Sequence, residues 1–331
     1  MIELHATTPQ RLEEQALRSH VSLPIEQTAA WMRYQNGING RSFWGSYVVT
    51  DHGEPLAFIS LVMYHTHGYR YLRSLHGPAW VLSPTPELER RVARLLVDEA
   101  RRHDPRIIFL RLDLWHHEGT YPVLSTVPYD QTVVIDLTGG DDEILSRMKR
   151  RGRRDVRKAL RECPAECADE TRQAMADFSD YYDIMVETAA RDGFVPAPMS
   201  DYTDMIEALG EDHCRVFAAR IDGRVAAWSI ITVNGTHAVR YYAGMRSEAM
   251  RQHVTDRLLF EECRVLGAQG ITEYDLMGIG SDFAPSLKGL NEFKTKFAEQ
   301  TTHVAPGRDV PAHRIAYAAL RLLRSLRRAS R

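Results

Sequence analysis

The sequence predicts an α/β protein made of two similar mixed-sheet domains in tandem. Three observations point there. The 331 residues suffice for two domains of ordinary size. The order helix, paired strands, helix, strand runs twice along the chain, without sequence identity between the copies. Between the copies "DLTGGDDE" breaks the chain, and Asp141 or Asp142 can cap the helix that follows.

The elements follow from local pattern. A helix is predicted around 9–20, "PQRLEEQALRSH". Strands follow at 43–51, 54–66 and 69–75, the first two joined by the turn "DHGEP". After the Gly/Pro-rich loop "HGPAWVLSPTP", a helix over 86–104 places Val92, Leu95, Leu96 and Ala100 near helical spacing. Strands are expected at 106–115 and 131–137. The second copy opens with a helix through 145–160, whose Leu145, Met148, Gly152, Val156, Ala159 and Leu160 form one apolar stripe. A helix through 175–193, strands at 214–223, 224–235 and 237–245, a helix at 254–270 and a strand at 271–279 complete it.

Charge is unevenly spread. Net charge is −2, yet nine of the fifteen residues 147–161 are basic and one is acidic. The tail 314–331 adds six arginines and no acid, leaving 27 basic against 43 acidic residues elsewhere. Few acids stand one turn away to balance the first run, so it reads as a polyanion contact more than as a solvated face. The chain uses 37 arginines and five lysines, and three of the five, Lys288, Lys294 and Lys296, fall within nine residues. A compact ammonium in an arginine-rich chain points to a need that a planar guanidinium does not meet.

Several classes lose support. No apolar run reaches the length of a membrane span, and the N-terminus lacks a signal-peptide layout, which predicts a cytosolic protein. Cys163, Cys167, Cys214 and Cys263 read as free thiols. His116 and His117 are not joined by further ligands, so no metal site is predicted. The sequence has no phosphate loop, no dinucleotide fingerprint, no HExxH and no nucleophile elbow. The chemistry left is transfer of an already activated group, achieved by positioning.

Two segments carry a family resemblance. "DQTVVIDLTGGDDEILSRMKRRGRRDVRKAL" resembles the domain junction of the FemABX family, and "EYDLMGIGSDFAPSLKGLNEFKTKFAEQ" resembles its most recognisable block. "YRYLRSLHGPAW" and "FLRLDLW" sit where the family has similar segments. The family comprises aminoacyl-tRNA-dependent transferases that build peptidoglycan bridges. The resemblance implies two GNAT-like domains, 1–140 and 141–310, without a coiled-coil arm, and a C-terminal helix, 311–331, packing back on the first. It implies attack of an acceptor amine on the ester of an aminoacyl-tRNA co-substrate, with no other cofactor. The acceptor would be a peptidoglycan precursor or, alternatively, a small molecule in antibiotic-type biosynthesis.

By the same resemblance Lys294, in the Phe-Lys position, and Asp113, in "RLDLW", are the catalytic candidates. Phe293 supports the pocket wall. Tyr242, Arg191 and Tyr202 match acceptor-side positions. Arg240 and Gln35 stand where the family carries an aromatic and a lysine, and these departures are compatible with another acceptor. Arg150, Arg151, Arg153, Arg154, Arg157, Lys158 and Lys296 are expected at the tRNA. An acyl-CoA-dependent N-acyltransferase would require a glycine-rich pyrophosphate loop, which "GMRSEAMRQHVTD" does not supply. A non-enzymatic tRNA- or membrane-binding protein is the remaining alternative. The tail 314–331 is read either as a docked helix or as a segment lying on an anionic membrane surface. A monomer, cytoplasmic or at the inner membrane surface, is expected.

Overall fold

The computed structural model describes residues 1–124 and 126–329, with side chains through 326 in the last helix. In chain order the elements are β1 (Ile2–Thr7), α1 (Pro9–Arg18), α2 (Ala29–Gly37), β2 (Arg41–Asp51), β3 (Glu54–Thr66), β4 (Tyr69–Arg73), β5 (Ala79–Trp80), α3 (Pro86–His103), β6 (Ile107–Asp113) and β7 (Tyr121–Pro122). Then come β8 (Gln131–Thr132), β9 (Val134–Asp136), α4 (Asp141–Ser146), α5 (Arg150–Glu162), β10 (Glu166–Asp169), α6 (Thr171–Ala176), α7 (Ser179–Asp192) and α8 (Met199–His213). The chain closes with β11 (Cys214–Ile221), β12 (Arg224–Asn234), β13 (His237–Met245), α9 (Val254–Ala268), β14 (Glu273–Asp275), α10 (Asn291–Lys294), β15 (Thr302–His303), β16 (Gly307–Pro311) and α11 (Arg314–Ala329).

Two compact units result, 1–130 with 304–331 and 131–303. The first unit's main sheet runs β1-β2-β3-β4-β6-β16-β7, the second's β10-β11-β12-β13-β14-β9. Both are antiparallel apart from one parallel pair, β4 with β6 and β13 with β14, each joined through a crossover helix. These boundaries correct the expected 1–140 and 141–310. Residues 134–136 pair with β14 and so belong to the second unit, while 307–311 pair with β6 and belong to the first.

Local chemistry accounts for the elements. The Thr85 hydroxyl accepts from the Leu88 N–H, Pro86 opens α3, and Arg101, Arg102 and His103 close it, matching the helix dipole. The β2–β3 and β11–β12 hairpins turn on His52–Gly53 and Asp222–Gly223, both with positive φ, as tight two-residue hairpins require. The expected helix 145–160 is two helices, α4 and α5, broken over 147–149. Asp141 and Asp142 lie in the first turn of α4, whose cap is Gly140. Leu160, placed in the apolar stripe by spacing, is exposed. Gly152 lets α5 approach the Lys296 carbonyl: a Cβ there would come within 2.1 Å of that oxygen. In the first unit α11 is anchored by Tyr317, which packs edge-on against Phe109 and donates to Asp309 at 3.0 Å. Asp309 in turn holds buried Arg111 at 2.7 Å.

Candidate active site

In the second unit β13 and β14 pair only from His237–Val239 to Glu273–Asp275. Past that point β13 continues to Met245, while the other chain turns away through Met277, held at φ +62°. A gap opens between two formerly paired strands, and the short helix α10 delivers Lys294 to the turn at its mouth. The Lys294 ammonium donates to the Met277 and Gly278 carbonyls, at 3.2 and 3.0 Å. Burial pushes its pKa down to about 8, Arg240 pushes the same way, and Asp275 opposes. Asp275 is fixed by the Thr132 hydroxyl and by the Met277 N–H at 2.7 Å.

Behind this lysine three strands converge on one carboxylate from α9. Glu262 is fully buried and accepts from Ser229 (2.5 Å), Tyr274 (2.6 Å) and Arg240 (3.0 and 3.3 Å). Burial and Glu262 together push the Tyr274 hydroxyl well up, so it serves as a donor. Sequence reasoning missed Glu262. Its signal was present: it falls on the same helix face as Leu258, Leu259, Cys263 and Leu266, all buried. Arg240, expected at the substrate, is a correction. Its side chain is committed to Glu262, with its charge felt at Lys294.

Other expected residues divide. Tyr242 packs edge-on against Tyr202 at 4.9 Å; Tyr202 itself is a core aromatic stacked on Phe178, which corrects its place at the substrate. Arg191 is bound to Asp192 and to the Met245 carbonyl at the end of β13. Phe293 is half-buried against Phe297. Lys296, expected at tRNA, is buried between Asp155 (3.3 Å) and Asp256 (2.5 Å), a second correction. On α5, Arg151 pairs with Glu292, Arg154 with Asp155, and Lys158 with Glu162. Arg153 donates to the Ser146 and Met148 carbonyls. Arg150 and Arg157 are exposed.

In the first unit the strand gap is closed. The Ser74 N–H donates to the Arg111 carbonyl at 2.9 Å, and the Asp113 N–H to Gly77 at 3.0 Å. Asp113 is half-buried at the end of β6, and desolvation pushes its pKa up against the opposing charges of His76 and Arg73. The His76 N–H donates to it at 2.8 Å, and the far side of the His76 ring lies 3.9 Å from buried Glu26. His76 and Glu26 were not anticipated. Gln35 is buried, and its carbonyl oxygen accepts from Arg41 and Tyr64, so it is not open to a substrate as expected. A separate cavity of about 600 Å³ between α3 and β16 holds none of the expected residues.

With this geometry in place, the comparisons agree on the fold. A family model described as an acetyltransferase (GNAT) domain matches residues 147–295. FemX superposes with a TM-score of 0.74 at 15% identity, over 96% of this chain and 99% of its own. A tandem GNAT protein from the clavulanic acid biosynthesis pathway gives 0.56 at 11%, over 94% and 99%. L-PGS from Bacillus licheniformis gives 0.54 at 12%, over 97% and 98%. No curated protein matches the sequence. The chain therefore has the tandem GNAT-like fold, α/β with mixed sheets, that it shares with FemX.

Proposed function

We propose that this protein transfers an aminoacyl group from an aminoacyl-tRNA to an acceptor amine, as its resemblance to the FemABX family implies. The acceptor in the first reading is the stem peptide of a peptidoglycan precursor. The amine nitrogen attacks the ester carbonyl carbon, a C–N bond forms, the C–O bond to the ribose breaks, and the amine proton ends on the departing 3′-oxygen. The observation that carries this reading is Lys294. It is a lysine held at a strand gap by carbonyls instead of a carboxylate, with its pKa brought close to neutral by burial. Such a group can stabilise a developing oxyanion and give a proton to a leaving oxygen.

Asp113 is the proposed residue that orients the acceptor amine, with His76 holding its carboxylate. Tyr242, Phe293 and Arg191 are proposed to act on the acceptor side of the second unit. Arg150, Arg151, Arg153, Arg154, Arg157 and Lys158 are proposed to meet tRNA phosphates, giving affinity without sequence choice.

An acyl-CoA donor is disfavoured by the start of α9. Where a pyrophosphate would need glycine amides, the chain has Arg251, Gln252 and His253, and the Asp256 carboxylate occupies the first turn. A small-molecule acceptor is the second reading; it rests on the family resemblance, in which Gln35 stands where a lysine would be expected.

The test charges a total tRNA pool with each labelled amino acid and supplies cell-wall precursors or small amines. Label should pass to an amine and the reaction should stop when RNase is added first. Transfer from acetyl-CoA that RNase does not affect would overturn the reading.

A further inference from the structure

We propose that α11 lies on the surface of an anionic lipid bilayer, with its apolar stripe among the acyl chains and the basic charge of its C-terminal half drawn to the head groups. One face of the helix is taken up by the first unit. Tyr317 is 1% exposed and bonded to Asp309, and the Arg321 guanidinium stacks on Tyr121 at 4.7 Å. The opposite face has no cover among the described residues. Ile315 is 89% exposed, Leu322 61%, Leu323 55% and Leu326 59%. At 100° per residue, Ile315, Leu322 and Leu326 fall within about 40° of one another, with Leu323 beside them. Single exposed apolar side chains are ordinary on a protein surface; three on one stripe of one helix, with a fourth flanking it, are not.

Charge chooses the occupant. Residues 314–331 hold six arginines and no acid. A second copy of the chain, paired along this stripe, would bring together two such segments, each with six arginines and no acid. An anionic bilayer offers both an apolar layer and a negative surface to the two sides of such a helix. No helix among the described residues is long and apolar enough to cross a membrane, so α11 would lie in the plane of the interface. Ser330 and Arg331, the end of the basic tail, lie outside the described residues. The proposal does not depend on what the donor is.

The test is sedimentation of the full chain with vesicles of phosphatidylcholine alone or mixed with phosphatidylglycerol. Binding should need phosphatidylglycerol and weaken as salt rises. Replacing both Leu322 and Leu326 by Asp should lower partitioning by about a hundredfold or more, because two leucines lose their burial. Arg324→Gln and Arg328→Gln should each lower it about fivefold. A dye on Ile315→Cys should shift to the blue on the anionic vesicles, which tests the contact without disturbing the leucines. Absence of binding to anionic vesicles overturns the proposal. So does unchanged binding of the leucine variant, or a loss in that variant of dimerisation or tRNA binding instead.

Discussion

Replacing Lys294 with Met should stabilise the fold at neutral pH and lose that advantage in alkali. The reason is the location of the ammonium. In the folded chain its pKa is about 8, against an ordinary value of 10.5. At 1.36 kcal/mol per unit, holding the proton in the fold at pH 7 costs at most about 3 kcal/mol. Methionine removes that cost. It also takes a donor from the Met277 and Gly278 carbonyls, worth about 1 kcal/mol each. The variant should therefore be more stable by about 1 kcal/mol at pH 7.

The pH dependence isolates the charge. Above about pH 8 the folded lysine sheds its proton while the unfolded one keeps it until about 10.5. The wild type therefore gains stability with pH in that window, by about 2 kcal/mol up to pH 9.5. All other titrating groups are common to both proteins, so the difference between them should shrink by that amount and change sign. Urea unfolding followed by tryptophan fluorescence at pH 7 and 9.5 measures it. A wild-type-to-variant difference that is the same at both pH values would refute the claim that Lys294 is a buried ammonium held against its solvation.

Gly152→Ala should destabilise the second unit. Alanine gains about 1 kcal/mol of helix propensity, but its Cβ would meet the Lys296 backbone oxygen at 2.1 Å, an overlap costing about 3 kcal/mol. A net loss of about 2 kcal/mol should appear in urea unfolding, and a neutral result would mean that α5 can move away. Replacing Arg150 and Arg157 together by Glu should leave the unfolding midpoint in place, since both are exposed. In a salt series it should lower the dependence of aminoacyl-tRNA binding on log salt by about two charges, and an unchanged slope would remove α5 from the tRNA contact.

The doubled architecture was legible because it is written in local pattern: continuous apolar runs between turns in β2, β3, β11 and β12, and apolar spacing in α3 and α9. The unit boundaries were not. Val134–Asp136 and Gly307–Pro311 are short strands whose sheet is chosen by long-range pairing with β14 and β6. No local pattern encodes that choice. Lys294 was reachable from its motif, but the carbonyls that hold it come from a turn at positive φ on Met277, a conformation that a non-glycine residue does not advertise.

The misplaced cations have one common cause. Arg240 and Lys296 were placed at substrate and tRNA by the family resemblance, which gives a position for a charge without its partner. The partners were displayed elsewhere. Asp155, Asp256 and Glu262 are acids on the buried faces of α5 and α9, where a charge is costly unless it is answered. Two of them enclose Lys296, and the third binds Arg240. Acids inside an apolar stripe thus remove cations from the pool available for function. Lys294 is held differently: its ammonium rests on two backbone dipoles, near the positive charge of Arg240, with Asp275 opposing. That arrangement lowers stability in the folded protein. A side chain kept at such a cost is the one expected to act on something the protein binds.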